Sequence, residues 1–537
     1  MKTLVSLFAL ILALTGFAQQ PQLKMGAFFQ PEFAPQVPGI FLGMHDGYFY
    51  YYVSIGTHTS YSKSLFEKHV LMKFDANLNL VRENTFGGKP SELNEFVINV
   101  FLSSGKIFVF TWVYNKSTKF VDYFLREVNT NTLQAQAKGK LLFSYPENGP
   151  VTEKMGVTGF KVSPDFQKLK TQMTISRDSS KILFFTTIPT KKEQRKTIAV
   201  NLYSNEMELL FSQEYTMDYD QFMFEIKQFK VSNDGNVYAV AKSYREKKYE
   251  SMNGKPNFDF RFLHFIPGQT VPNELVVDVG KNFAFDPQMG ILDDGRIVSA
   301  GVFYYEASAS NSTKTRGVYY LQLDMANQKI LKQSFNVLPA SLDYDSESET
   351  DANTENGESK QPKFLTYVFH DMVLVDDGGA ILFGEQHTVG AITMGSPSNI
   401  DRNDVILIKL SNQGVIDQIS NLEKKQWESG RTFYISYVRA VTSDKIYLIF
   451  NDSPQNINAK PGTKPVTYAP ASIGPNVNAS VSYVTYDGQK LTPRQSITTV
   501  NEAKAAFVTI SSVQIAKDKM LCLFANGKQL RLGLLTF

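Results

Sequence analysis

The chain has 537 residues, 43% of them hydrophobic and 13% aromatic, which excludes a disordered protein and provides for a large core. A formal charge of +3 is close to balance for this length, so the composition asks for no nucleic-acid partner. The lone cysteine, Cys522, excludes an intramolecular disulfide and leaves the fold to packing.

The N-terminus reads "MKTLVSLFALILALTGFAQQ". Lys2 precedes an apolar run from Leu4 to Leu14, and Gly16-Phe17-Ala18 follows as a small-residue cleavage site. The pattern predicts a signal peptide over 1–18 and export to the periplasm or beyond. The run is too short to span a bilayer, and no cysteine follows it to carry a lipid anchor. No later apolar stretch is long enough to span, so the mature chain is expected to be soluble, not membrane-spanning, and monomeric.

From residue 19 onward one pattern returns eight times. It is seen in "MHDGYFYYYV", "LSSGKIFVFTW", "SRDSSKILFFT", "SNDGNVYAVA", "LDDGRIVSAG", "VDDGGAILFG", "TSDKIYLIFN" and "AKDKMLCLFA". Each has a polar turn and then a β-branched or aromatic run of strand length. Asp-Gly supplies the positive φ angles that a tight hairpin needs, so the residue choice requires no catalysis. A second hairpin follows most copies, as in "VLMKFDANLNLVRENTF" and "VYYLQLDMANQKILKQSF". Two hairpins per unit make four antiparallel strands. Repetition in series predicts an all-β chain, a single β-propeller over 19–537 with eight blades, or seven plus an irregular segment. The last unit has only three strands. The segment "QLKMGAFF" (Gln22–Phe29) is left over at the other end, and pairing the two closes the propeller and removes an open edge.

The long connections all fall after the second or fourth strand of a unit, so one end of the blades should carry the binding loops. Residues 452–480 form one of them. Residues 341–363 ("SLDYDSESETDANTENGESKQPK") are acidic and nearly free of apolar side chains, which predicts a mobile insertion. Asp343, Asp345, Glu347, Glu349 and Asp351 alternate, but the Gly and Glu spacing of a calcium loop is missing, and no metal site is assigned.

Enzyme motifs are mostly absent. There is no G-x-S-x-G, no H-E-x-x-H, no P-loop and no Rossmann fingerprint, so no catalytic residue and no cofactor is assigned. Two constellations are candidate binding residues. Glu385 and His387 share one side of a predicted strand, with His370-Asp371 on its neighbour; the simpler reading is ordinary strand polar pairs. Lys191, Lys192, Arg195, Lys196, Arg245, Lys247, Lys248, Lys314 and Arg316, interleaved with Tyr244, Tyr249, Tyr304 and Tyr305, would form a basic, aromatic sector, although loop lysines are commonly just solvated. "FNDSPQN" (Phe450–Asn456) reads as a cluster of turn formers.

The Asp-Gly blades, "VSNDGNVYAVA" above all, resemble the WD40-like (TolB-type) propellers of exported bacterial proteins. The run "DDGGAILFGEQ…NDVILIKLSNQG…YVRAVTSDKIYLIFND" is similar to uncharacterised secreted propellers of Gram-negative bacteria. The resemblance implies fold and export and carries over no site residue. The expected function is non-catalytic binding or scaffolding, with a protein or an anionic envelope polymer as partner. The alternative is a secreted carbohydrate-active enzyme with carboxylates at a central channel.

Overall fold

The computed structural model describes residues 20–31, 39–55, 68–87, 95–115, 117–146, 171–188, 195–220, 222–252, 254–304, 315–339, 367–389, 399–429, 432–457, 459–460, 463–470, 479–527 and 529–537. The fold is a β-propeller of eight four-stranded antiparallel blades with almost no helix. The chain divides into two compact units. One holds the first, seventh and eighth blades, and the other holds the second to sixth.

In the larger unit the second blade is built from Phe96–Ser103, Lys106–Asn115, Phe120–Val128 and Lys140–Pro146. The third follows as Thr171–Ile175, Lys181–Ile188, Arg195–Ser204 and Leu209–Asp220. The fourth is Phe224–Val231, Val237–Tyr244, Phe258–Phe265 and Asn273–Val277, and the fifth Phe283–Ile291, Ile297–Tyr304, Gly317–Asp324 and Lys329–Val337. The sixth is Tyr367–Leu374, Ala380–Val389, Asn399–Leu410 and Ile416–Leu422. In the smaller unit the first blade spans Ile40–His45 to Leu80–Gly87, and the seventh Val438–Val441 to Gln495–Thr499.

Burial follows strand position. Val237–Tyr244 and Ile297–Tyr304, second strands with a partner on each edge, are buried throughout. Such strands are covered on both faces and read as near-continuous apolar runs. The outer strand Leu209–Asp220 instead exposes every other residue along much of its length. Between blades lie aromatic layers: Phe110 meets Phe184 of the next blade at 4.5 Å between ring centres, tilted by 47°, and Tyr319 meets Phe260 at 5.9 Å. Each such side chain, fully buried, contributes about 1.5–3 kcal/mol.

The turns that contain glycine divide into two types. Asp46-Gly47 and Ser104-Gly105 place both residues at positive φ (49° and 75°, 45° and 75°), the two-residue hairpin expected from the sequence. In the fourth, fifth and sixth blades only the glycine is left-handed, at Gly235, Gly295 and Gly378. The preceding Asp there belongs to a longer turn closed by Gly235 N–H to the Ser232 carbonyl and its equivalents. The second hairpins use the same device with an apolar plug: Leu78, Leu133 and Met207 are left-handed yet buried. Outer strands latch onto the next blade's turn. Ser334 Oγ and Asn336 Nδ2 donate to the Gly414 carbonyl at 2.6 and 2.7 Å.

The eighth blade closes as the sequence predicts. Ala506–Ala516, Lys519–Asn526 and Gln529–Thr536 receive Gln22–Met25 as the outer strand, with Leu23 opposite Leu535 and Met25 opposite Gly533. The strand is shorter than Gln22–Phe29, but Gly26 and Phe29 still donate to Leu532 and Leu530 at 2.9 and 2.8 Å. The predicted signal peptide and the acidic insertion lie outside the described residues.

Candidate functional site

The first strands of six blades carry a bulge near the end from which the long connections leave. The register shifts between Phe41 and Gly43, Val97 and Asn99, Ile226 and Gln228, Phe285 and Gln288, Phe369 and Asp371, and Val508 and Val513. A bulge strengthens local twist and re-aims a side chain. In the larger unit the first strands of the fourth and fifth blades lie side by side, and Gln228 Oε1 accepts the Met289 N–H at 2.7 Å beside both bulges. Lys227 occupies one bulge, and Asp286 with Pro287 the other.

Asp286 is held at φ 47°, a conformation that a non-glycine residue adopts at a cost of about 1–2 kcal/mol. Space for this backbone comes from Gly301 on the adjacent strand, where a methyl group would stand 2.5 Å from the Phe285 carbonyl oxygen. The Asp286 side chain reaches solvent, yet its carboxyl group is pushed above the usual carboxylate range by the strands crowding it, against the pull of Lys227 and Lys242. The Lys227 ammonium lies 2.9 Å from the Glu225 carboxylate. Glu225 is held below its ordinary pKa: its bond to Lys227 and the nearby lysine charges outweigh burial.

Beneath them Lys242 is buried, its Nζ 3.6 Å from the centroid of Phe258 and 4.6 Å from that of Phe285. It donates to Glu250, which also accepts from the Tyr244 hydroxyl at 2.9 Å. Burial lowers the Lys242 pKa to about 8 in spite of Glu250.

The connection from Tyr244 to Phe258 is braced rather than loose. Ser251–Met252 pairs with Lys255–Pro256, and the buried Asn257 side chain donates to the carbonyls of Lys247 and Tyr249 at 2.6 and 3.2 Å. Arg245 Nε bonds Asp259 at 3.3 Å. The outcome is a fixed hairpin with Lys247, Lys248 and Tyr249 outermost; Tyr249 is 63% exposed, and Phe222, in the connection entering the same blade, 49%.

The structure redistributes the predicted basic sector. Arg245, Lys247 and Lys248 lie together on this hairpin, and Arg195 is exposed and pairs with Asp218 at 2.9 Å. Lys196, Tyr244 and Tyr304, expected at the surface, are buried, because each sits on a second or third strand facing the neighbouring blade. Lys196 Nζ bonds the Phe224 carbonyl at 3.0 Å. Lys191, Lys192, Tyr305 and Lys314 lie outside the described residues.

Glu385 is also buried, and Lys424 Nζ and Arg402 Nη1 meet it at 2.7 and 3.3 Å. Burial pulls Lys424 down and pushes Asp404 up. His387 stands opposite Arg402 in the ladder, and desolvation with that positive neighbour lowers its pKa. These groups form an ion network inside the blade, and among the described residues no cluster of His, Cys, Asp and Glu has the geometry to hold a metal.

"FNDSPQN" does more than turn. Asn451 Nδ2 donates to the Tyr434 and Phe507 carbonyls at 2.8 and 2.7 Å, and Asn456 brackets Val466 through both its amide atoms at 2.8 and 2.7 Å. Part of the 452–480 connection is thereby pinned to the smaller unit. The sequence reading missed Lys227, Asp286 and Gly301. Its available signal was Pro287 inside the strand "FAFDPQMGI", since proline in a strand interior marks a bulge or an edge.

The site belongs to a β-propeller, and known proteins refine that class no further. No protein-family model matches the chain, and no curated protein matches it. Among solved structures it is similar to the β-propeller domain of the Trilobed protease from Pyrococcus furiosus, at 10% identity over 88% of this chain and 98% of that one, TM-score 0.33. An ulvan lyase, described as a new family of polysaccharide lyase, aligns at 12% identity over 82% and 92%, TM-score 0.36. A cobalt-substituted apocarotenoid oxygenase from Synechocystis aligns at 9% over 98% and 95%, TM-score 0.35. No activity passes to this chain from likenesses at that level.

Proposed function

We propose that this is an exported, non-catalytic binding propeller that engages a protein partner at the loop-bearing end of its fourth blade. The supporting observation is the braced hairpin from Arg245 to Asn257. A loop already held by Asn257 and its own two-stranded ladder has little conformational entropy to lose on binding. Tyr249, exposed at the end of this hairpin, is of a residue type enriched among interface anchors. A protein fits better than an anionic polymer. Arg245, Lys227 and Arg195 each have a carboxylate beside them, so the surface alternates in charge rather than accumulating one sign. Export rests on the N-terminal sequence.

The test compares capture from native envelope extract by the mature protein and by a variant combining Lys247→Glu, Lys248→Glu and Tyr249→Ala. The captured partner should be lost by at least tenfold with the melting temperature unchanged, because the three side chains are exposed. Equal capture of the same partner by both proteins would remove this face from the function.

A further inference from the structure

The bulge in the first strands is a feature of the scaffold, but the charge placed on it is not. Leu42 and Ile98 fill the bulge in the first and second blades, half-buried, so an apolar residue satisfies the geometry. In the fourth and fifth blades, which are neighbours, the same position carries Lys227 and Asp286. Asp286 is the less expected of the two. It sits in a strained left-handed conformation, and its carboxylate has no hydrogen-bond or ion-pair partner among the described residues. A non-glycine residue held left-handed at a bulge works against the fold, and such features persist where they serve binding or chemistry.

We propose that Asp286, Lys227 and Glu225 form a binding site for a neutral, polyhydroxylated ligand, a sugar unit held through adjacent hydroxyl groups. The charges select this class. Glu225, Glu250 and Asp286 set against Lys227 and Lys242 leave the cluster near neutrality, with both signs presented side by side. A carboxylate or phosphate ligand meets Glu225 and Asp286, and a cationic ligand meets Lys227 and the buried Lys242, so either charge is opposed. A hydroxyl both donates and accepts. One can donate to Asp286 while its neighbour accepts from the Lys227 ammonium, which has hydrogens to spare beyond its single bond to Glu225. Gly301 and Gln228 brace the two bulges, so the backbone that carries donor and acceptor is set before a ligand arrives. Of the fourth-blade hairpin this site draws only on Glu250, the partner of Lys242, and on none of Lys247, Lys248 and Tyr249, so it stands independently of the protein-binding reading.

The experiment titrates glucose, galactose, mannose, and their β-linked tetrasaccharides into the mature protein by calorimetry, with galacturonate and glucosamine as the charged controls. At least one neutral probe should bind, both charged controls should bind at least tenfold more weakly, and Asp286→Gly and Lys227→Met should each weaken the neutral probe at least tenfold. Asp286→Gly should also hold or raise the melting temperature, since it relieves the left-handed strain. Tyr249→Ala should leave the sugar affinity unchanged. The proposal is overturned if no neutral probe binds the unmodified protein or if a charged control binds best. It is equally overturned if Asp286→Gly lowers the melting temperature by more than a few degrees, which would make the carboxylate structural.

Discussion

Gly301 lies against the bulged backbone of Asp286: a methyl group on Gly301 would stand 2.8 Å from the Asp286 carbonyl oxygen and 2.8 Å from the Tyr319 hydroxyl. Two backbones and a buried ring share the space of one missing side chain. Gly301→Ala should therefore destabilise by about 1–3 kcal/mol, the usual range for overpacking. Urea unfolding measures it. An unchanged midpoint would mean that the bulge yields freely and is not held by its neighbour.

The closing strand should be needed for stability. Arg531 Nη2 donates to the Gly26 carbonyl at 2.8 Å, and Leu23, Met25 and Phe28 pack on the core of the seventh and eighth blades. A chain beginning at Gln30 opens the edge of Gln529–Thr536 and exposes that apolar surface, at roughly 25 cal/mol per Å². It should aggregate or melt well below the mature protein. Lys24→Cys with Leu534→Cys, opposite in the ladder, should cross-link in a Cys522→Ser background. A silent truncation together with no cross-link would contradict the pairing.

His69 makes stability depend on acid. Its Nδ1 lies 2.8 Å from the Tyr52 hydroxyl, and burial lowers its pKa from 6.5 to about 4. The unfolded chain therefore binds a proton between those values that the folded chain refuses. The stabilisation is complete above pH 6.5 and is lost as pH falls toward 4, on the order of 2–3 kcal/mol over the window. His69→Gln should flatten this part of the profile relative to the unmodified protein. Parallel curves from pH 7 to 4 would show that the ring is not held neutral.

Cys522 should be inert in the folded state. It is fully enclosed in a second strand, and burial pushes its thiol up to about 12, far from the reactive thiolate. A chromogenic disulfide reagent should label it only at the rate of global unfolding. Fast labelling of native protein would reveal local opening of Lys519–Asn526.

The local sequence was enough for the blades. Turn residues and β-branched runs are short-range signals, so eight hairpin pairs could be read from "HDG" at 45–47 to "KDK" at 517–519, and strand arithmetic alone paired Gln22 onward with the C-terminal blade. Which face a residue joins depends on what lies across from it. Tyr244, Tyr304 and Lys196 looked like loop chemistry and became core because the neighbouring blade covers them. Lys227 and Asp286 lie 59 positions apart in the chain, each unremarkable by itself, and only the side-by-side packing of two first strands brings their bulges together. Hairpins form between residues a few positions apart, where the chain itself sets the partner. A site assembled from different blades depends on register and packing between segments far apart in sequence, and those were decided by the tertiary structure alone.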